Sequence, residues 1–330
     1  MKTYLVTGGA GFIGSALVRR LIDGGHRVRV LDNESRGSSR RVKDFGDACE
    51  WIEADVRDAQ AVRAAAAGVD AVCHLASING THWFYERPDL VLEVGVKGII
   101  NVLEACQACQ VPELLVVSSS EVYHAAPVIP TPEAVPMVIP DPYNPRYSYA
   151  GAKIITELMA LHCGRTSLRR VVVVRPHNVY GPDMGWDHVI PQLIARLHAL
   201  CDQPVDPIPF PIQGTGEETR AFVYIDDCID GIVLAMEGGA HRGIYHVGTM
   251  DEVTIAAVAQ EIGRGFGRAV AVIPGRPAEG GTLRRCPDIG RLAALGYQPK
   301  VRLRDGIPMV IRWYLEHLHE RPVVETVGRP

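Results

Sequence analysis

Apolar residues along this chain come in short solid runs separated by stretches with helical spacing. Tyr4-Leu5-Val6 is solid and short, as a strand buried on both faces must be, whereas residues 15–23 set Ala16, Leu17, Leu21 and Ile22 along one helical face. Gly24 and Gly25 end that helix, and residues 28–31 read as a second strand that ends at Asp32. The opening segment thus predicts one strand-helix-strand unit. The alternation continues: residues 51–53, 71–75, 114–118 and 171–175 read as strands, with helix-like residues 59–67 and 90–109 between them. Alternation of this kind predicts an α/β fold, a Rossmann-type doubly wound parallel sheet.

Further along the pattern becomes irregular. Prolines crowd residues 127–145 and 204–211, where a continuous helix is excluded and ordered loops are expected. Beyond Pro182 the readable elements are a strand at residues 222–225 and helices at 253–262 and 307–320. The division that follows is residues 1–182 mainly as the sheet domain and residues 183–330 mainly as a smaller C-terminal substrate-binding lobe, with some chain crossing between the two.

Composition narrows the partners. The 330 residues are 47% hydrophobic and 22% charged, ample for a core without covalent staples. A net charge of -4 and the lack of a long basic run argue against sequence-independent nucleic-acid binding, which depends on clustered Lys and Arg. The 8 cysteines lack paired metal-ligand spacing, and Cys106 and Cys109 fall within a helix-like segment, so reduced thiols and no metal are expected. No stretch approaches the ~20 apolar residues of a membrane span, and no signal-peptide pattern is seen, so no membrane association and a cytoplasmic location are expected.

Candidate chemistry begins at Gly8, Gly11 and Gly14, a G-x-x-G-x-x-G loop between the first strand and the first helix. Glycines let a pyrophosphate approach backbone N–H groups, and the helix behind adds free donors and the positive end of its dipole. Asp32 ends the next strand, placed to accept hydrogen bonds from adenosine ribose hydroxyls and to repel a 2′-phosphate, which selects NAD over NADP. Arg36, Arg40 and Arg41 lie close enough to oppose that preference. Asp55 either binds the adenine amino group or caps a helix.

Taken in order, the glycine loop, Asp32, Asp55-Val56, His74-Leu75-Ala76-Ser77, Ser118-Ser119-Ser120-Glu121-Val122-Tyr123, Tyr149-x-x-x-Lys153 and Arg175-Pro176-His177-Asn178-Val179-Tyr180-Gly181-Pro182 resemble the extended short-chain dehydrogenase/reductases. Within them the chain resembles the NAD-dependent nucleotide-sugar epimerase/dehydratase family. The resemblance implies a Rossmann domain for NAD, a lobe for a nucleotide-diphosphate sugar, and a homodimer formed through helices. It implies cofactor contacts from Gly8, Gly11, Phe12, Ile13, Gly14, Asp32, Asn33, Asp55, Val56, Leu75, Ala76 and Ser77, with Tyr149 and Lys153. Two departures stand out: Gly95-Val96-Lys97-Gly98 replaces a segment that often begins with Asn, and His124 replaces a frequent Gly.

Tyr149 and Lys153 are four apart, so on a helix they share a face; the ammonium is expected to favour phenolate and to hold the nicotinamide ribose. Ser119 matches the family's hydrogen-bonding hydroxyl, with Ser118 and Ser120 as substitutes in the same loop. Glu121 matches a glutamate of dehydratases and decarboxylases, either a proton shuttle at C5 or a pocket-wall hydrogen-bonding group. Arg285 resembles a decarboxylase arginine or grips a phosphate. Ser120, Asn178, Val189 and Arg220 complete the substrate-binding set, with Val189 assigned to the base or ribose and Asn178 and Arg220 resembling positions that bind the diphosphate. The leading expectation is 4-epimerisation of a hexose- or heptose-type nucleotide sugar through a transient 4-ketone. A 4,6-dehydratase or uronate decarboxylase using Glu121 and Arg285 is the alternative, and a non-catalytic NAD-binding protein the remote one.

Overall fold

The computed structural model describes residues 1–276 and 281–322. Seven strands form the central sheet: β1 (Thr3–Thr7), β2 (Arg27–Asp32), β3 (Cys49–Glu53), β4 (Ala71–His74), β5 (Glu113–Val117), β6 (Arg170–Pro176) and a last strand, Gly243–Val247. All pair in parallel, in the order Gly243–Val247, β6, β5, β4, β1, β2, β3. The direction of winding reverses between β1 and β4, and such a switch point opens a crevice at the carboxyl ends of the strands.

A parallel sheet is covered on both faces, which explains the solid apolar runs. Val6, Val30, Leu115, Val172 and Val174 face a core closed by the helices Phe12–Asp23 and Ile225–Gly238, while Leu5, Leu31, Val116, Val171 and Val173 face one closed by Pro88–Ala108 and Ser148–Ser167. The latter two helices pack closely where Gly95 meets Ala152: a Cβ on Gly95 would lie 2.7 Å from the Ala152 Cβ. The glycine at this departure from the family pattern therefore serves helix packing and offers the cofactor no side chain.

The C-terminal region departs from expectation in detail. The strand Gly243–Val247 was not legible, and it returns the chain to the main sheet from beyond residue 182. The expected strand at 222–225 shortens to Val223–Tyr224, because Ile225 already begins a helix. Residues 252–254 are a strand paired antiparallel with Thr219–Ala221, and Thr254 caps the helix Ile255–Gly265 by accepting from the Ala257 N–H at 3.0 Å. The final long helix is Leu303–Glu316. Residues 277–280 and 323–330 of the predicted lobe lie outside the described residues. Among those described, no helix is long and apolar enough to cross a membrane, and no group of three or more His, Cys, Asp or Glu side chains is placed to hold a metal.

Candidate active site

One cleft of about 530 Å³ runs over the switch point, lined by every expected cofactor residue and by Ser119, Ser120, Glu121, Asn178 and Arg285. Its floor at one end is the glycine loop. Gly8 has φ +72°, and a Cβ there would sit 2.7 Å from the Ala76 nitrogen; a Cβ on Gly14 would meet the Gly8 carbonyl oxygen at 2.1 Å. Gly11 precedes the helix Phe12–Asp23, whose first turn receives no side-chain cap among the described residues. Free N–H donors beside bare backbone form a cradle of the kind that receives a pyrophosphate, so the residues fit NAD.

Asp32 lies beside this cradle, accepting from the Ala10 N–H at 3.0 Å and the Glu34 N–H at 2.8 Å. Burial pushes its carboxyl up, against the pull of those two donors. Asp55 accepts from Asn33 at 2.9 Å and from Arg57 through two guanidinium bonds, at 3.0 Å and 2.8 Å, which hold it below the usual carboxylate range. It is not the helix cap; Asp58 caps Ala59–Ala66, accepting from Gln60 and Ala61. Of the arginines that opposed NAD, Arg36 and Arg41 line the cleft but are paired with carboxylates, Arg41 with Asp183 at 2.7 Å and Arg36 with Asp187 at 3.6 Å, while Arg40 pairs with Asp183 and Glu320. Replacing Asp32 with Ala should weaken NAD binding about tenfold, the scale of a lost charged hydrogen bond, and narrow the preference over NADP. Fluorescence titration with both reduced cofactors measures this, and unchanged preference would remove Asp32 from the ribose site.

At the other end Tyr149 and Lys153 emerge from the helix Ser148–Ser167 on one face, with the Lys153 Nζ 5.7 Å from the phenol ring centroid. Lys153 donates to the Val117 carbonyl at 2.8 Å. Burial lowers its ammonium to about 8, against the raising effect of Glu157. Tyr149 corrects the expectation of a depressed phenol: burial, including the ring of Phe84 stacked at 5.2 Å, raises it to about 12 despite the hydroxyls of Ser119 and Ser77. Ser118 donates to the buried Glu157 carboxylate, which removes it as a substitute for Ser119. Ser119 caps the short turn Ser120–Tyr123, accepting from the Glu121 N–H at 3.2 Å.

Glu121 and Arg285 form an ion pair at 2.6 Å within the cleft. Burial would raise the carboxyl, but Arg285, with Arg146 and Arg220 further off, holds it below its ordinary value and therefore ionised at neutral pH. Arg285 also donates to Thr282 at 3.1 Å, and its buried Nε has no partner among the described residues. Arg146 lines the same end and was missed by the sequence reading; its only signal was a cation three residues before Tyr149. Asn178 holds φ +41°, a conformation asparagine tolerates better than most residues, and lines the cleft.

Two expected residues stand apart from the cleft lining. Arg220 is occupied with the carbonyls of Thr219 at 2.7 Å and Thr282 at 2.9 Å, and burial with the Arg285 charge lowers it to about 10. Val189, 38% exposed, begins the helix Val189–His198, while the preceding Asp187 and His188 line the cleft instead.

A glycine cradle at a switch point, an acid beyond β2 and a Tyr-x-x-x-Lys helix facing a polar pocket define an NAD-dependent enzyme of the short-chain dehydrogenase/reductase type. The chain belongs to the NAD dependent epimerase/dehydratase family, whose model matches residues 4–248. It is 30% identical over 326 residues to UDP-N-acetyl-alpha-D-glucosaminuronate decarboxylase of Bacillus cytotoxicus, covering 96% of this chain and 98% of that one. Among solved structures it resembles dTDP-glucose 4,6-dehydratase of Streptomyces venezuelae with NAD bound (TM-score 0.84, 30% identity, 96% and 98% of the two chains). It also resembles UDP-glucose 4-epimerase of Thermotoga maritima with UDP-glucose (TM-score 0.83, 26% identity, 96% and 99%). All three are named for a nucleotide sugar, and they differ in what becomes of it.

Proposed function

We propose that this enzyme oxidises C4 of a nucleotide-diphosphate sugar that carries a uronic carboxylate, and that the resulting 4-ketone loses this carboxylate as carbon dioxide. The observation that carries this reading is the Glu121–Arg285 pair with Arg146 beside it. A single carboxylate facing these cations leaves the sugar end of the cleft positively charged, the complement of an anionic sugar. Bound NAD supplies the hydride acceptor and donor for C4. Tyr149 takes the C4 hydroxyl proton, Ser119 holds the hydroxyl, and Lys153 stabilises the phenolate. With C4 a carbonyl, the C5 carboxylate lies β to it; the bond to the carboxylate breaks, its electron pair enters the enolate, and C5 then gains a proton.

The engagement of Glu121 with Arg285 also favours a second reading, 4-epimerisation, in which Ser119, Tyr149 and Lys153 suffice and Glu121 is a pocket wall. Dehydration has less support, since Ser120 offers no carboxyl next to Glu121. Incubation with UDP-, GDP-, ADP- and dTDP-linked neutral and uronic sugars, followed by NMR and mass, separates these outcomes. Loss of carbon dioxide is expected; unchanged mass with inversion at C4 would replace decarboxylation by epimerisation. On the uronate, Arg285→Ala should lower kcat/KM about a hundredfold, the scale of a lost guanidinium-carboxylate contact. An effect on neutral and uronic sugars alike would instead place Arg285 on the diphosphate.

The exposed Leu92, Ile155 and Leu158 on the helices Pro88–Ala108 and Ser148–Ser167 support the homodimer that the resemblance implies. Light scattering of a Leu158→Asp variant tests it.

A further inference from the structure

Behind the cleft lies a buried polar chain that the proposed reaction does not use. Glu157 and Arg175 have side chains 0% and 2% exposed and make a two-pronged ion pair, at 2.8 Å from the Arg175 Nε and 2.5 Å from Nη2. Arg175 also donates to the Tyr123 hydroxyl and to the Glu133 carbonyl at 3.1 Å, and Tyr123 in turn meets the His246 ring at 2.6 Å. A fully buried pair of this kind is weak evidence of stabilisation, because taking two charges out of water costs about as much as their attraction returns. Its placement suggests another use. Glu157 lies one turn beyond Lys153 on the same helix face, and it accepts from the hydroxyl of Ser118. Ser118 is the residue between Val117, whose carbonyl takes the Lys153 ammonium, and Ser119.

We propose that the Glu157–Arg175 pair is the positioning unit of the active site. Its carboxylate fixes the end of β5 through Ser118, so that Ser119 and the carbonyl partner of Lys153 stay in register, and its charge keeps Lys153 protonated inside a dry pocket. This inference rests on the reading of Tyr149 and Lys153 as the proton-handling pair. The groups around Lys153 are Tyr149 and Glu157 on its own helix, His74 on β4, and Arg175 on β6 behind Glu157. His74 is held neutral at about 3 by burial and by the Lys153 charge, and meets the Thr7 hydroxyl at 2.8 Å, so Glu157 is the anion within reach.

The charges of the pair predict shifts of opposite sign. Glu157→Gln leaves Arg175 uncompensated and should move the high-pH limb of kcat/KM down by about one pH unit, because Lys153 loses its proton sooner. Arg175→Met leaves Glu157 uncompensated and should move the limb up; the double variant should return close to the parent. The Lys153 proton is followed directly in the NAD-loaded protein by NMR of isotope-labelled lysine, with Lys153→Arg assigning the signal. Ser118→Ala, a small change expected to fold, should lower kcat about tenfold, the scale of a lost hydrogen bond to a charged group, without moving the limb.

Shifts of the same sign in both charge variants, or none, accompanied only by a lower Tm, would make the pair a structural element and overturn the proposal. Should the charge variants not fold, unchanged kcat in Ser118→Ala overturns it instead. A parent protein whose Lys153 titrates as described but which turns over no sugar nucleotide would reject the reaction and leave the positioning unit standing.

Discussion

Tyr149→Phe should lower kcat by a factor of about 1,000, roughly 4 kcal/mol of barrier, with NAD affinity and Tm close to the parent. The phenol ring is buried against Phe84, and that packing survives removal of the hydroxyl. What is lost is the group beside both Ser119 and Lys153 that takes a proton from a sugar hydroxyl and gives it back. Burial raises the phenol to about 12, so the parent should itself be slow in acid and quicken as the pH rises, until Lys153 loses its proton near 8. Single-turnover formation of reduced cofactor measures the oxidation step alone. A variant that oxidises the sugar at the parent rate would remove Tyr149 from the chemistry.

Gly14→Ala should weaken cofactor binding by a different route. The new methyl group would fall 2.1 Å from the Gly8 carbonyl oxygen, a backbone atom that can move only if the loop opens. Forced overpacking of this kind costs about 1–3 kcal/mol, so Tm should drop by several degrees and NAD affinity by about a hundredfold. Gly11→Ala is the informative companion, because its Cβ would meet only the Gly8 carbonyl, at 3.2 Å. There the fold should hold and the pyrophosphate should be excluded. Thermal melts with and without NAD separate the two cases; equal melting shifts on adding NAD in both variants and the parent would sink the cradle assignment.

Local signals were strong where physics acts locally. Short apolar runs marked β1, β4, β5 and β6 because burial on two faces favours apolar residues, the partly exposed β2 and β3 were read from the alternation around them, and Gly8 and Gly14 were legible because the backbone comes too close there for a Cβ. Gly243–Val247 escaped notice because Tyr245 and His246 interrupt its apolar pattern; His246 is buried only because Tyr123, Asp288 and Glu133 satisfy it from distant parts of the chain. The same non-local cause hid Arg146, whose place in the cleft depends on how a proline-rich loop folds back. It also explains Arg220: its guanidinium is claimed in part by the Thr282 carbonyl, which the sequence could not place beside it. Tyr149 shows the limit from the other side, since spacing located the pair but burial reversed the expected direction of the phenol shift.

The last strand has a consequence for how the molecule is made. During synthesis β6 emerges with Val171 to Val174 and one free edge, and its partner Gly243–Val247 appears only after much of the substrate lobe has been threaded. The nascent cofactor half therefore waits with an exposed apolar edge, the kind that recruits strands from neighbouring chains. A chain cut after Pro182 would keep the glycine loop, Asp32, Tyr149 and Lys153, yet be expected to aggregate rather than persist as a separate NAD-binding module.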